Sequence, residues 1–223
     1  MFERGVVDAT VGFLVDAARG GTALEFAVGT GRIALPLSQR GVGVVGIDIS
    51  PDMLAQLRTK PGSDAIGLTI GDFASTRVEG TFSLVYLVYN TIGNLTSQEE
   101  QIACFRNAAA HLAPGGRFVI ELGVPDLRRF PPGAAAQPFE VGPTHLGFDT
   151  MDTATQQGVS HHYLIDGDRV TRFDSPYRYA WPAELDLMAR LADLELRERW
   201  ADWDRSPFTA ESRKHISVWE RPQ

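Results

Sequence analysis

The sequence predicts an α/β domain built on a doubly wound, mostly parallel seven-stranded sheet, and three observations carry that expectation. Apolar strand-like runs alternate with helical patterns through the first half, joined by short connections. A small-residue turn, Ala27-Val28-Gly29-Thr30-Gly31, leads from the first such run into a helical pattern. Only after Gly123 does the order change to alternating segments, which predicts a small antiparallel β-sheet inserted after strand five.

Each element has a local reason. Val6, Val7, Thr10, Val11, Leu14, Val15 and Ala18 recur at helical spacing, and Gly20-Gly21 ends the opening helix. Strand one spans about residues 22–26 and the next helix 32–39. Strand two, from 42, ends at Asp48, after which Ser50 caps a helix with Pro51 at its first position. Strand three, 66–70, runs into Gly71-Asp72-Phe73, and strand four, 82–89, is the near-continuous apolar run of a central parallel strand. Ser97 and Glu100 form a capping box for a helix reaching Leu112, and Pro114-Gly115-Gly116 turns into strand five, 117–122.

Pro125, Pro131, Pro132, Gly133, Pro138, Gly142 and Pro143 then mark an irregular stretch. Alternation over 144–150, 158–166 and 169–179, with Asp166-Gly167-Asp168 as a hairpin turn, predicts two or three inserted strands. Pro182 opens a helix through Leu194 with Leu185, Met188, Leu191 and Ala192 on one face, and strands at 196–202 and 215–220 close the sheet. The expected organisation is a core over 1–123, an inserted region over 124–180 and a C-terminal return to the core over 181–223.

Composition narrows the function classes. The 223 residues suit one domain with an elaboration, and the net charge of −7 argues against a nucleic-acid partner, which needs a basic face. Cys104 is the sole cysteine, inside a helical pattern, so it is expected to pack as an apolar residue. No run approaches the ~20 apolar residues of a membrane span. The N-terminal stretch carries Glu3, Arg4, Asp8 and Asp16, unlike a signal peptide, so a cytoplasmic protein is expected.

The turn after strand one is a nucleotide-cofactor turn, since glycines let backbone approach a ligand and the following helix points N–H groups at it. Gly29-Thr30-Gly31-Arg32-Ile33-Ala34 formally satisfies the dinucleotide pattern, with Asp48 about 20 residues on. Glu25 at the end of strand one separates the cofactor classes. A carboxylate there would repel a pyrophosphate and attract the ammonium of S-adenosylmethionine (SAM), which has no phosphate. SAM is the expected cofactor, and an NAD(P)-dependent oxidoreductase is the first alternative.

With Glu25 to Gly31, Asp48, Gly71-Asp72-Phe73 and Leu112-Ala113-Pro114-Gly115-Gly116 at successive strand ends, the chain resembles the class I SAM-dependent methyltransferases. The resemblance implies a Rossmann-like core over about residues 20–123. The inserted strands and the Asn90-Thr91-Ile92-Gly93-Asn94-Leu95 turn are most similar to the small-molecule branch, including aminosugar N-methyltransferases of bacterial natural-product pathways. It implies Asp48 on the ribose, Asp72 and Phe73 at the adenine, Met53 packed on that ring, and the Leu87 carbonyl on the methionyl ammonium, with Glu25, Ala27, Gly29 and Gly31 forming the loop. Ala27 stands where the family usually has glycine, a mild loss. The short segment before the first motif implies either a more open site or one completed by a partner, and a non-catalytic partner subunit is the second alternative.

Methyl transfer from a sulfonium needs alignment and dryness first, and a base only where the nucleophile starts protonated. The candidates for that base are His145, His161 and His162, of which at most one is expected to act, since His161 and His162 face opposite sides of a strand. Tyr89, Tyr177 and Tyr179 are further polar candidates. No metal is expected. The acceptor is expected to be a hydroxyl or amine of a small metabolite, plausibly sugar-like, and a homodimer is the expected assembly.

Overall fold

A computed structural model describes residues 4–130 and 133–223; Pro131, Pro132 and Glu3 lie outside the described residues. Its main sheet has seven strands in the order β10-β11-β5-β4-β1-β2-β3. These are β1 (Ala23–Phe26), β2 (Val44–Asp48), β3 (Ile66–Ile70), β4 (Phe82–Leu87), β5 (Leu112–Gly123), β10 (Glu195–Trp200) and β11 (Lys214–Glu220). β3, β2, β1, β4 and β5 run parallel, and β11 is antiparallel to both β5 and β10. The expected doubly wound sheet is present, matching the fold class.

Strand alternation sends side chains to two cores. Leu24, Phe26, Val85, Leu87, Phe118 and Ile120 pack on one face with Cys104, Phe105, Leu185 and Met188, from α4 (Gln98–His111) and α5 (Pro182–Arg190). On the other face Ala23, Leu84 and Tyr86 pack with Leu14 of α1 (Arg4–Ala18), Leu37 of α2 (Ala34–Gln39) and Leu57 of α3 (Pro51–Arg58). Cys104 is fully buried and its thiol is pushed upward by that burial, so it packs as expected and is not a nucleophile.

Several boundaries follow their local signals. Ser50 Oγ accepts from Met53 N at 3.3 Å with Pro51 at the helix start, and the Ser97–Glu100 capping box is formed. Other elements differ from expectation. β5 begins at Leu112 because the Pro114-Gly115-Gly116 segment is held as bulged strand, with Gly115 N donating to Arg221 O at 2.8 Å. α5 stops at Arg190 because Asp193 takes φ 56°, which reverses the chain and leaves Leu191 exposed rather than on the buried face.

The inserted sheet has four antiparallel strands, not two or three, in the order β6-β7-β8-β9. They are β6 (Gln137–Val141), β7 (His145–Asp152), β8 (Gln157–Asp166) and β9 (Arg169–Arg178). β6 hid behind Pro138, Gly142 and Pro143; it is an edge strand with a register shift at Pro138, the one sheet position where proline costs little. A short 3-10 turn over Leu127–Arg129 also lies in the stretch expected to be irregular. Among the described residues no helix is long and apolar enough to cross a membrane.

Candidate active site

The glycine loop begins where β1 ends. Glu25 and Tyr86 are register partners in adjacent parallel strands, so both point to the α1–α2 face. Tyr86 Oη donates to Glu25 Oε2 at 2.8 Å, and both side chains are buried. Burial pushes the Glu25 carboxyl up to about 8, outweighing the hydrogen bonds from Tyr86 and the Ala34 backbone. The sequence predicts a standing carboxylate; among the described residues no cation pairs with it, and its burial favours the protonated acid. Tyr86 is raised well above its ordinary range, by burial first and then by Glu25, and stays a donor.

The loop above them needs left-handed backbone at Ala27 (φ 55°), Gly29 (φ 54°) and Gly31 (φ 76°). A Cβ on Gly31 would stand 2.8 Å from Leu57 Cδ1, so glycine is required there on two counts. Ala27 pays the left-handed penalty that glycine escapes, a cost of roughly 1 kcal/mol. Ala27→Gly is therefore expected to raise stability by up to about 0.5 kcal/mol, after allowing for the looser unfolded chain. Urea denaturation checks it, and a loss of stability would contradict the strain argument.

Asp48 at the end of β2 clamps this loop. Its Oδ2 accepts from Gly29 N at 2.7 Å and its Oδ1 from Ser50 N at 2.8 Å, tying the glycine turn to the start of α3. Each carboxylate oxygen keeps a lone pair for further donors. Around Asp48 stand three exposed apolar side chains, Ile49, Met53 and Ile70, with Ile70 its register partner on β3. Ile49 and Ile70 escaped the sequence reading, although an isoleucine between an acid and a helix cap is a readable signal. Asp72 Oδ1 accepts from Ala74 N at 2.8 Å, so it shapes the turn after β3. The Phe73 ring goes into the core against Phe26, centroids 5.9 Å apart, leaving its backbone beside the groove rather than its ring. Leu87 is fully buried at the end of β4.

The chain after β4 is held in a strained turn. Tyr89 (φ 57°) and Asn90 (φ 61°) are consecutive left-handed residues without glycine. Glu121 on β5 fixes them, its Oε2 accepting from Tyr89 N at 3.0 Å and its carbonyl from Asn90 N at 3.3 Å. Asn90 Oδ1 accepts from Gly123 N. The Arg32 guanidinium, from the first turn after the glycines, lies 5.2 Å from the Tyr89 ring centroid.

Over this turn stands one face of the inserted sheet. A cleft of about 480 Å³ is lined by Tyr89, Asn90 and Gly123 from the core and by Asp149, Ser160, His162 and Tyr177 from the insertion. Ser160 Oγ donates to Asp149 Oδ1 at 2.7 Å. His162 Nδ1 lies 3.0 Å from His145 Nε2, and its ring stacks on Phe173 with centroids 4.5 Å apart. His161 is on the opposite face, bonded to Asp174 at 2.8 Å and to Thr150 at 3.0 Å. Of the three candidate histidines, the structure brings His162 to the cleft, with His145 behind it and His161 away.

A buried ion pair anchors the insertion. Arg178 at the end of β9 donates to Glu184 Oε1 at 2.6 Å and to Gln101 Oε1 at 2.6 Å. Gln101 in turn donates to the carbonyls of Ile92, Leu95 and Arg178, linking α4, β9 and the turn after β4. Burial pushes the Glu184 carboxyl up, but hydrogen bonds from Gln156, Arg178 and Gln98 win and hold it below its usual range. No sequence pattern marks this pair, because its members meet only through the tertiary fold.

Comparison with known proteins places this geometry. Residues 23–116 match the family described as methyltransferase domain. Over 205 residues the chain is 32% identical to the cypemycin N-terminal methyltransferase of a Streptomyces species, covering 91% of this chain and 84% of that protein. The chain belongs to the SAM-dependent methyltransferases. The solved CcbJ methyltransferase from Streptomyces caelestis superposes with a TM-score of 0.88 at 36% identity, covering 97% of this chain and 90% of that one. The dTDP-3-amino-3,6-dideoxy-alpha-D-glucopyranose N,N-dimethyltransferase of Streptomyces fradiae is 32% identical over 163 residues, 70% of this chain and 62% of that protein. This methyltransferase therefore uses SAM, and the oxidoreductase alternative is set aside.

Proposed function

We propose that this methyltransferase transfers the SAM methyl group to an amine of a small natural-product intermediate bound in the cleft beneath the inserted sheet. The observation that carries the reading is that cleft, which joins the ends of β4 and β5 to the face bearing His162 and Asp149. Two relatives, one named as an N-terminal methyltransferase and one as an N,N-dimethyltransferase of a 3-amino sugar, support an amine over a hydroxyl.

The residues fit the cofactor on this structure's own terms. A buried acid with no ion-pair partner among the described residues, Glu25, suits the methionyl ammonium, with the Leu87 carbonyl as a second acceptor for it. Asp48 is the ribose acceptor, Asp72 and the Phe73 backbone take the adenine edge, and Ile49, Met53 and Ile70 gain cover by packing on its faces. Ala27, Gly29 and Gly31 shape the backbone around it. When bound, SAM supplies an electrophilic methyl on sulfur. The strained Tyr89–Asn90 turn and the inserted sheet orient the amine and exclude water. His162 accepts the proton that the amine gives up, with His145 fixing its ring tautomer from Nδ1.

Mass spectrometry and NMR of small amines incubated with SAM test the reading, with an N-methylated product expected and an O-methylated one contradicting it. His162→Ala is expected to lower kcat/KM for the acceptor by roughly 10- to 100-fold with SAM affinity retained. His161→Ala should leave kcat/KM within about threefold, since its side chain faces away from the cleft. Equal losses in both variants would remove His162 from the chemistry. The reading extends to a homodimer: on the face of the insertion turned away from the cleft, Val141, Leu146 and Val170 are exposed, an apolar surface a second copy would cover. Light scattering that finds only monomer would contradict this.

A further inference from the structure

The methyl-transfer cleft is not closed at its outer end. A second cavity of about 940 Å³ shares Val124, Pro125, Asp149 and Met151 with it, so the two spaces abut. Beyond that shared wall lie Leu127, Phe130 and Trp181, the last 40% exposed, together with Asp126, Arg128, Glu211 and Arg213. This volume is in the range that encloses a drug-sized ligand.

We propose that the acceptor's body extends from the cleft into this second cavity and carries no phosphate: an amine on a partly apolar frame larger than one sugar ring, not a nucleotide-activated sugar. The inference rests on the amine-methylation reading above and names its substrate class. Most of the cations near the site have partners: the Arg32 guanidinium lies over the Tyr89 ring and three others are in ion pairs. Arg128 Nε lies 2.8 Å from Asp126 Oδ1, Arg178 is 2.6 Å from Glu184, and Lys214 is 2.8 Å from Asp202 and 3.2 Å from Glu121. Among the described residues lining these spaces, Arg213 alone of the arginines and lysines has no ion pair within 4.0 Å.

A diphosphate is normally held by several unpaired arginines, lysines or helix N–H groups, which repay the loss of its hydration. Here it would meet the carboxylates of Asp126, Asp149 and Glu211. The acceptor amine, held in the cleft, meets the carboxylate of Asp149 favourably. Trp181, Phe130 and Leu127 offer apolar area that an uncharged extension would cover.

The test presents one 3-amino sugar in two forms, as an octyl glycoside and as its dTDP ester, to the full-length enzyme with SAM. The octyl glycoside is expected to give a kcat/KM at least about tenfold higher, and a tenfold preference for the dTDP ester would overturn the inference. Trp181→Ala is expected to raise KM for the octyl glycoside by about tenfold with kcat kept, and to leave KM for the methyl glycoside nearly unchanged. An equal rise for both glycosides would count against occupancy of the second cavity. If neither sugar is methylated, calorimetry on the enzyme loaded with S-adenosylhomocysteine decides. Binding of the octyl glycoside without binding of dTDP upholds the inference while the amine reading falls. Binding of dTDP, or of neither compound, overturns it. A product methylated on oxygen contradicts the amine reading alone.

Discussion

Glu25→Gln is expected to weaken SAM and S-adenosylhomocysteine binding by about 2–3 kcal/mol, roughly 30- to 150-fold, while the empty protein becomes more stable above neutral pH. Both effects have one cause. The native carboxyl is raised from 4.5 to about 8 by burial, with Tyr86 Oη as a neutral partner. Between those two pH values the folded protein keeps a proton that the unfolded chain has lost, so stability falls as pH rises through that window and levels above it. A bound ammonium reverses the preference, because it pairs with the ionised form. Cofactor affinity should therefore rise with pH across the same window up to about 8, where the cofactor's own α-ammonium begins to lose its proton. The glutamine keeps the shape and cannot ionise, so it removes both dependences. Equilibrium dialysis and urea denaturation across pH 5 to 9 check the pair, and a variant with native SAM affinity would contradict the assignment.

Arg178→Ala is expected to cost about 3–5 kcal/mol of stability, the usual penalty for leaving a buried ion unpaired. It takes the cation away from Glu184, which keeps its bonds from Gln156 and Gln98, and leaves Gln101 Oε1 without the donor it accepts from. The same change should loosen the end of β9, where Tyr177 and Tyr179 line the cleft, so acceptor KM should rise more than SAM affinity falls. Arg178→Met together with Glu184→Leu should recover much of the stability, since a volume-conserving apolar pair leaves no charge behind. Urea denaturation of the single and double variants measures this; a loss under about 1 kcal/mol in the single variant would show that the pair is not an anchor.

The legible parts of this fold are those with local causes. β3 was readable to the residue from Ile66 to Ile70, and α3 and α4 from Ser50-Pro51 and the Ser97–Glu100 box. β6 was not, because Pro138 and Pro143 read as breakers until a neighbour, β7, shows that the strand is an edge. The end of α5 is not legible, because the φ of 56° at Asp193 has no compositional mark. In the site, the positions of Glu25, Gly29, Gly31 and Asp48 followed from strand ends and glycines. The charge state of Glu25 did not, since it depends on depth and on Tyr86, which reaches it only through the β1–β4 register. The sequence could place His161 and His162 on opposite faces but not say which face looks onto the cleft; the docking of the insertion through Arg178 decides that.

The most direct test of the account counts protons. Calorimetric titration of S-adenosylhomocysteine at pH 7, in buffers of different ionisation enthalpy, reports how many protons binding releases. A neutral Glu25 that ionises to meet the ammonium predicts the release of most of one proton by the native enzyme and essentially none by the Glu25→Gln variant. Tight binding to the native enzyme with no proton released would contradict the pairing of Glu25 with the cofactor.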